Sequence, residues 1–408
     1  MTSVRVWKTA LAGSAVAAVA ALMTAFPGPS LAAALRGLSI WWDILFPSLL
    51  PFFVLSELML GFGIVHFFGT LLDPMMRPLF RVPGIGGFVM AMGFASGYPV
   101  GARLTAQLWE QRLVNRDEGE RLVSFTTSSD PIFLIGAVSV GFFHDVGLAL
   151  VLGIAHYGSG LIVGFLMRFH GGKRQTGTLP AASGRTLLWR AMQAMHRARL
   201  QESRTFGELL KDSVQSSLKL IMVVGGLVVF FCVVLEVLTL SRVMSGLYAA
   251  VDSALRWFRF PPELSQAVVN GLFEVTIGAK SAAGAGTHLS LASKVAIAAF
   301  VLSWSGLSVH AQIVSLLNRT DLRYMPFAVA RMAHGLMAAA LVFVLWKPLS
   351  PAVSALSAAV PAFAPDRWLY AALPALYSLS ALLFAGTIAA VAAMYAVYRC
   401  VRPLLRRS

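Results

Sequence analysis

The sequence predicts an all-α polytopic membrane protein of two inverted-topology repeats, with re-entrant hairpins and broken transmembrane helices. Three observations predict it. Of 408 residues, 57% are hydrophobic and only 12% charged, with a mean hydropathy of +0.74, too little charge to clothe a soluble domain of this size. Met90–Arg103 (MAMGFASGYPVGAR) recurs 177 positions later as Ala267–Lys280 (AVVNGLFEVTIGAK), and the same spacing sets Phe125–Ser129 over Leu302–Gly306. Lys and Arg are distributed so that the two copies face opposite ways.

The elements follow in order. Thr9–Phe26 comes after Arg5 and Lys8 and has the outline of a signal peptide, but the many later spans favour an uncleaved first helix running outward. A helix over Asp43–His66 returns. Gly84–Leu113 begins and ends inside as a hairpin, Glu118–Phe143 crosses outward and Val146–Phe169 crosses back. His170–Arg204 holds six arginines and one lysine against one acid, Glu202, and reads as a cytoplasmic loop. Ser217–Leu240 then crosses outward. Pro262–Gly286 begins and ends outside, and Leu289–Leu317 crosses inward to Arg319 and Arg323. Met325–Lys347 goes out, nearly uncharged Lys347–Pro365 lies outside, and Trp368–Arg399 returns to a basic C-terminus. Runs such as Leu218–Leu240 exceed the ~18 apolar residues needed to cross a bilayer. The divisions are 1–40 for an N-terminal helix, 41–170 for repeat 1, 171–205 for the basic loop, 206–347 for repeat 2, and 348–408 for the external loop, last helix and tail. Arg242, Arg256 and Arg259 fall on the outer side and are expected to snorkel.

The net charge of +15 would suggest nucleic-acid binding in a soluble chain; here it reflects the positive-inside rule, and no nucleic-acid partner is expected. Cys232 and Cys400 fit no metal-ligand spacing or mutual disulfide. No phosphate loop, HExxH or GxSxG motif is present, and no nucleophile–base pair. Neither a catalytic residue nor a metal site is assigned, no cofactor is expected, and a coupling Na+ or H+ is left open.

Unwound backbone at membrane depth needs protein or water around it, so two hairpins and two breaks should meet at the bundle centre. The first hairpin turn is Ser96-Gly97-Tyr98-Pro99-Val100-Gly101, where Gly97 and Gly101 permit a tight reversal and Pro99 removes a donor; Gly278 repeats Gly101. Arg103 and Lys280 hold matching places, as substrate ligands or as snorkelling cations. Glu274 lies in an apolar stretch with Asn270 one turn earlier and Thr276 beside it, to contact substrate, bind Na+, carry a proton or pair with Lys280 or Arg103. The first break offers Thr126, Thr127, Ser128 and Asp130 before Pro131; the second offers Ser303, Ser305, Ser308, His310 and Gln312. These hydroxyls suit Na+ or a neutral polar solute, or are satisfied by their own helix, and Asp130 is either a ligand or an N-cap. His156 and His334 read as helix-packing residues, and Glu57 as a supporting acid.

Pro47–Phe53 (PSLLPFF), Gly93–Arg103 (GFASGYPVGAR) and Leu302–Gln312 (LSWSGLSVHAQ) resemble the YlbJ family of sporulation integral membrane proteins. The repeated segments resemble the nucleoside-recognition, or Gate, domain, which also occurs in concentrative nucleoside transporters, spore maturation proteins and the membrane part of the ferrous-iron transporter. The likeness spans most of Trp41–Trp346. It implies a multi-pass inner-membrane protein of spore-forming bacteria needed for spore cortex formation. Together the readings point to a permease for an unidentified small polar solute, with the bilayer as its other partner, both termini cytoplasmic and an oligomer left open; the alternative is a non-transporting scaffold of the spore envelope.

Overall fold

The computed structural model describes residues 2–172, 186–359, 381–382 and 385–400. The described residues are helical throughout, with no strand. Helix α1 (Thr2–Ala25) bends by 105° into α2 (Pro27–Ser39), which runs through a π segment, Ile40–Leu45, into α3 (Phe46–Gly61). The chain then turns by 82° into α4 (Ile64–Phe80). Helices α5 (Ile85–Ser96) and α6 (Tyr98–Glu110) form a hairpin; α7 (Arg116–Thr126) and a second π segment, Ile132–Phe142, form a broken rod; α8 (Leu148–Met167) closes the unit.

The second unit follows the same order. After α9 (Leu187–Gln201) come α10 (Phe206–Leu240), α11 (Ser245–Trp257), the hairpin α12 (Ser265–Phe273) and α13 (Val275–Gly284), the broken pair α14 (Leu291–Trp304) and α15 (Gly306–Leu317), and α16 (Tyr324–Ala359). A shift of 177 residues carries each element from α2 to α8 onto its counterpart in the second unit. Four helical stretches among the described residues are long and apolar enough to cross a membrane: Leu148–Met167, Phe206–Leu240, Leu291–Leu317 and Tyr324–Ala358.

The inversion is visible where the units meet. Gly61, at the end of α3, packs on Leu209 at the start of α10, while Gly37 in α2 packs on Val229 and Cys232 toward its end. The corresponding helices of the two units therefore run antiparallel. Trp41 locks their midpoints, donating its indole N–H to the Ile221 carbonyl at 2.9 Å beside Gly225.

Three expectations change. The returning helix Asp43–His66 is not a separate element, because a continuous rod runs from Pro27 to Gly61; the π segment absorbs the amide that Pro47 lacks. This places the start of the first structural unit before the expected boundary at residue 41. Within the basic loop, Thr186 caps α9, and α9 packs along α4 rather than hanging in solvent. The stretch expected outside from Lys347 remains helical through Pro348 and Pro351 to Ala359. Lys173, Arg174 and Arg185 of the loop, Trp368 of the last helix, and the C-terminal Arg402, Arg406 and Arg407 lie outside the described residues.

Beyond the midplane, a charged anchor joins the two units. Glu120 has no exposed surface and accepts from Arg323 Nε and Nη2, each at 2.8 Å, and lies 2.6 Å from His170 Nε2. The capping box of Asn115 and Glu118 starts α7 beside it.

Candidate functional site

Hairpin tips and helix breaks meet because their backbones approach more closely than side chains would allow. Gly97 turns the first hairpin at φ +88, a conformation open to glycine. A Cβ on Gly101 would lie 2.5 Å from the Thr126 carbonyl oxygen at the first break, and one on Gly278 would lie 2.2 Å from Gly271 Cα across the second hairpin. Each hairpin thus closes against itself or its own break. Tyr98 crosses to the other repeat and donates its hydroxyl to the Leu302 carbonyl at 2.9 Å.

The centre of this arrangement is a cavity of about 30 Å³, room for a water or two. Its polar lining is Tyr98, Asp130, Glu274, Thr276, Ser308 and Gln312, and its walls include Leu49 and Val228 from the two long rods. Helices α6, α13 and α15 and the π segment at Ile132 all start here. Four helix N-termini therefore direct positive dipole ends at the cavity. Two carboxylates answer them: Asp130 Oδ1 accepts from Phe133 N at 2.9 Å, and Glu274 Oε2 accepts from Ile277 N at 2.8 Å. Asp130 is thus a cap as well as a lining residue. Glu274 is 1% exposed and, among the described residues, forms no ion pair with Lys280 or Arg103. The Ser308 hydroxyl is buried without a partner. Such a site offers both donors and acceptors in an apolar frame.

Larger cavities flank the centre, about 620 Å³ and about 280 Å³. The first is lined by Leu235, Glu236 and Thr239 near the end of α10, the second by Leu209, Asp212 and Ser213 near its start. At a 1.5 Å rise per residue, they sit roughly 40 Å apart along one helix. Thr276 lines both the larger vestibule and the central cavity. In the smaller vestibule, hydrogen bonds from Arg204 hold the Glu202 carboxyl down at about 2.

Several expected ligands go elsewhere. Arg103 is not in the cavity: its guanidinium lies 2.5 Å from Glu57 and also donates to Ser216. Lys280 is exposed in the 620 Å³ vestibule, and Asn270 lines the same space while donating to Ser281 at 2.9 Å. Thr126 and Thr127 return their hydroxyls to Leu122 and Val123 carbonyls at 2.8 Å, as hydroxyls in a last helical turn often do. His310 bridges Tyr324 and the Trp304 carbonyl. The Ser96 hydroxyl is buried without a partner, just before the tip.

Ser128, Ser303 and Ser305 belong to a buried network that the sequence reading did not assemble. The Ser129 amide donates to His156 Nε2 at 3.1 Å, so His156 carries its proton on Nδ1, which faces Ser303 Oγ at 2.7 Å; Ser128 Oγ lies 2.9 Å from Nε2. Arg331, with no exposed surface, donates to the Thr127 carbonyl at 2.6 Å, to Ser305 Oγ at 2.5 Å and to His334 Nδ1 at 2.9 Å. His334 Nε2 then donates to the His156 carbonyl at 2.8 Å. The signal for Arg331 was present: it is a lone cation in the apolar run Met325–Trp346.

Comparison with known proteins supplies a family. Residues 43–155, most of the first structural unit, match the family described as Gate, nucleoside recognition. No solved structure matches the chain. A relative from Bacillus subtilis (strain 168), the sporulation integral membrane protein YlbJ, is 46% identical over 334 residues, covering 81% of this chain and 80% of the relative. At that identity and coverage, the chain belongs to the YlbJ family of sporulation integral membrane proteins.

Proposed function

We propose that the chain is a permease of the bacterial inner membrane that passes a small polar solute during sporulation, in support of spore cortex formation, and that it carries out no enzymatic step. The observation carrying this reading is the central cavity, closed by both hairpin tips and both breaks, with a vestibule beyond it at either end of α10. Both termini face the cytoplasm by charge bias, so the end of α10 and the 620 Å³ vestibule face outward. Hairpins α5–α6 and α12–α13 move in turn against the rods, since a cavity of 30 Å³ holds no solute until one of them withdraws. Asp130 and Glu274 orient the solute between the helix N-termini, and Thr276 stands at the way in.

A scaffold reading has one observation in its favour, the small volume of the centre. Uptake of a broad solute panel into vesicles holding the purified protein separates the two. A permease gives saturable uptake of at least one solute, and Glu274→Gln, which preserves shape and the cap to Ile277, abolishes it with an unchanged melting temperature. Absence of uptake for every solute, with correctly inserted protein, would leave the scaffold.

A further inference from the structure

Arg331 is a full positive charge buried in an apolar helix. Among the described residues no carboxylate lies within ion-pair distance of it. Such a charge is costly unless something else answers it. The answering groups are the ends of two half-helices, one from each repeat. Helix α7 stops at Thr126 and presents the Thr127 carbonyl; α14 stops at Trp304, where Ser305 caps it at φ +79. Both termini are negative dipole ends, and the guanidinium joins them through the Thr127 carbonyl and the Ser305 hydroxyl, Ser305 also standing at the start of α15.

The third contact is also uncharged. An arginine only donates, so His334 Nδ1 accepts and its proton sits on Nε2, toward the His156 carbonyl. His156 is neutral as well, because its Nε2 accepts from the Ser129 amide. The cation therefore meets an oxygen of a broken helix, a hydroxyl and a ring nitrogen, with no counter-charge. Its Nε is buried without a partner; the two terminal nitrogens alone hold it.

Unwound carbonyls and half-helix C-termini at the midplane are where secondary transporters coordinate a coupling cation. We propose that Arg331 fills that position with a cation of the protein's own, so that solute passage through this chain is not coupled to Na+. Because α16 carries the charge, it cannot leave with the solute. The two breaks stay tied together through it, and the hairpins are left as the moving parts.

The transport half of this proposal rests on the permease reading; the structural half does not. The test uses the full-length purified protein. For wild type, melting temperature and solute uptake are measured in NaCl and in choline chloride, and 22Na+ binding is measured at equilibrium. The expected result is no Na+ effect on either quantity and no saturable 22Na+ binding. Arg331→Ala should melt several degrees lower, and low-millimolar methylguanidinium should recover most of the difference. Arg331→Met, which fills the space without the charge, should stay low and gain nothing from methylguanidinium.

A Na+-dependent rise in wild-type stability or uptake overturns the proposal. So does Arg331→Met melting like wild type, which would make the charge dispensable. The wild-type measurements stand even where Arg331→Ala fails to fold. Should wild type pass no solute at all while methylguanidinium still rescues Arg331→Ala, the permease reading fails and the assignment of Arg331 as resident cation survives.

Discussion

Arg103 turns away from the hairpin tip toward Glu57, and Gln107 donates to the same carboxylate at 2.9 Å. Both charged side chains are nearly enclosed, at 12% and 14% exposure. Removing one partner leaves the other charged and buried, whereas removing both together is often tolerated. Glu57→Leu should destabilise by about 3 kcal/mol, seen as a lower melting temperature in detergent. Glu57→Leu with Arg103→Met should recover most of it; a double variant as unstable as the single one would refute the pairing. At this scale the sequence was only partly legible. Glu274 stood out as a lone acid in an apolar stretch, and it does line the cavity. Thr126 and Thr127 looked equally suited to bind, yet a hydroxyl that bonds back to its own helix has the same sequence as one that reaches a ligand. Arg331 was legible by the same rule as Glu274 and was passed over among the residues of an ordinary closing helix.

Among the elements, the first hairpin is the most exacting. Gly101 lies against the Thr126 carbonyl, with no room for a side chain between the two backbones. Gly101→Val should abolish insertion or folding, measured as loss of a monodisperse detergent-solubilised peak, while Gly226→Ala, with open space around it, should be tolerated. Equal tolerance at both sites would mean that the hairpin does not pack on the break. The hairpins and breaks were legible because glycine, proline and repeated spacing mark them directly. The long first rod was not. The expected helix began at Asp43, but a π turn ahead of Pro47 joins it to α2 and lets one rod continue without the missing amides. Nor was α9 visible, because arginines at helical spacing resemble a solvated loop until the apolar face that meets α4 is seen.

Across the whole molecule, the repeat offset found in two short stretches extends to every element from α2 to α8, and the antiparallel rods give it its inverted sense. That much followed from charge bias and self-similarity. The meeting of hairpins and breaks at the centre was expected as well; the side chains that reach across it were not: Tyr98 to Leu302, His156 to Ser303, Arg331 to Thr127. Reporter fusions after Gln175 and after Ser408 should both be cytoplasmic, with one near Ala358 external. Opposite faces for the first two would destroy the orientation. The antiparallel rods have one more consequence. A twofold relation in the membrane plane that exchanges the two halves also exchanges forward with reverse travel. The two ends of this chain are nonetheless unlike: the cavity at the end of α10 holds about 620 Å³ and the one at its start about 280 Å³. Any preference for one direction would then lie in what departs from the twofold, the unequal vestibules, and not in the repeats themselves.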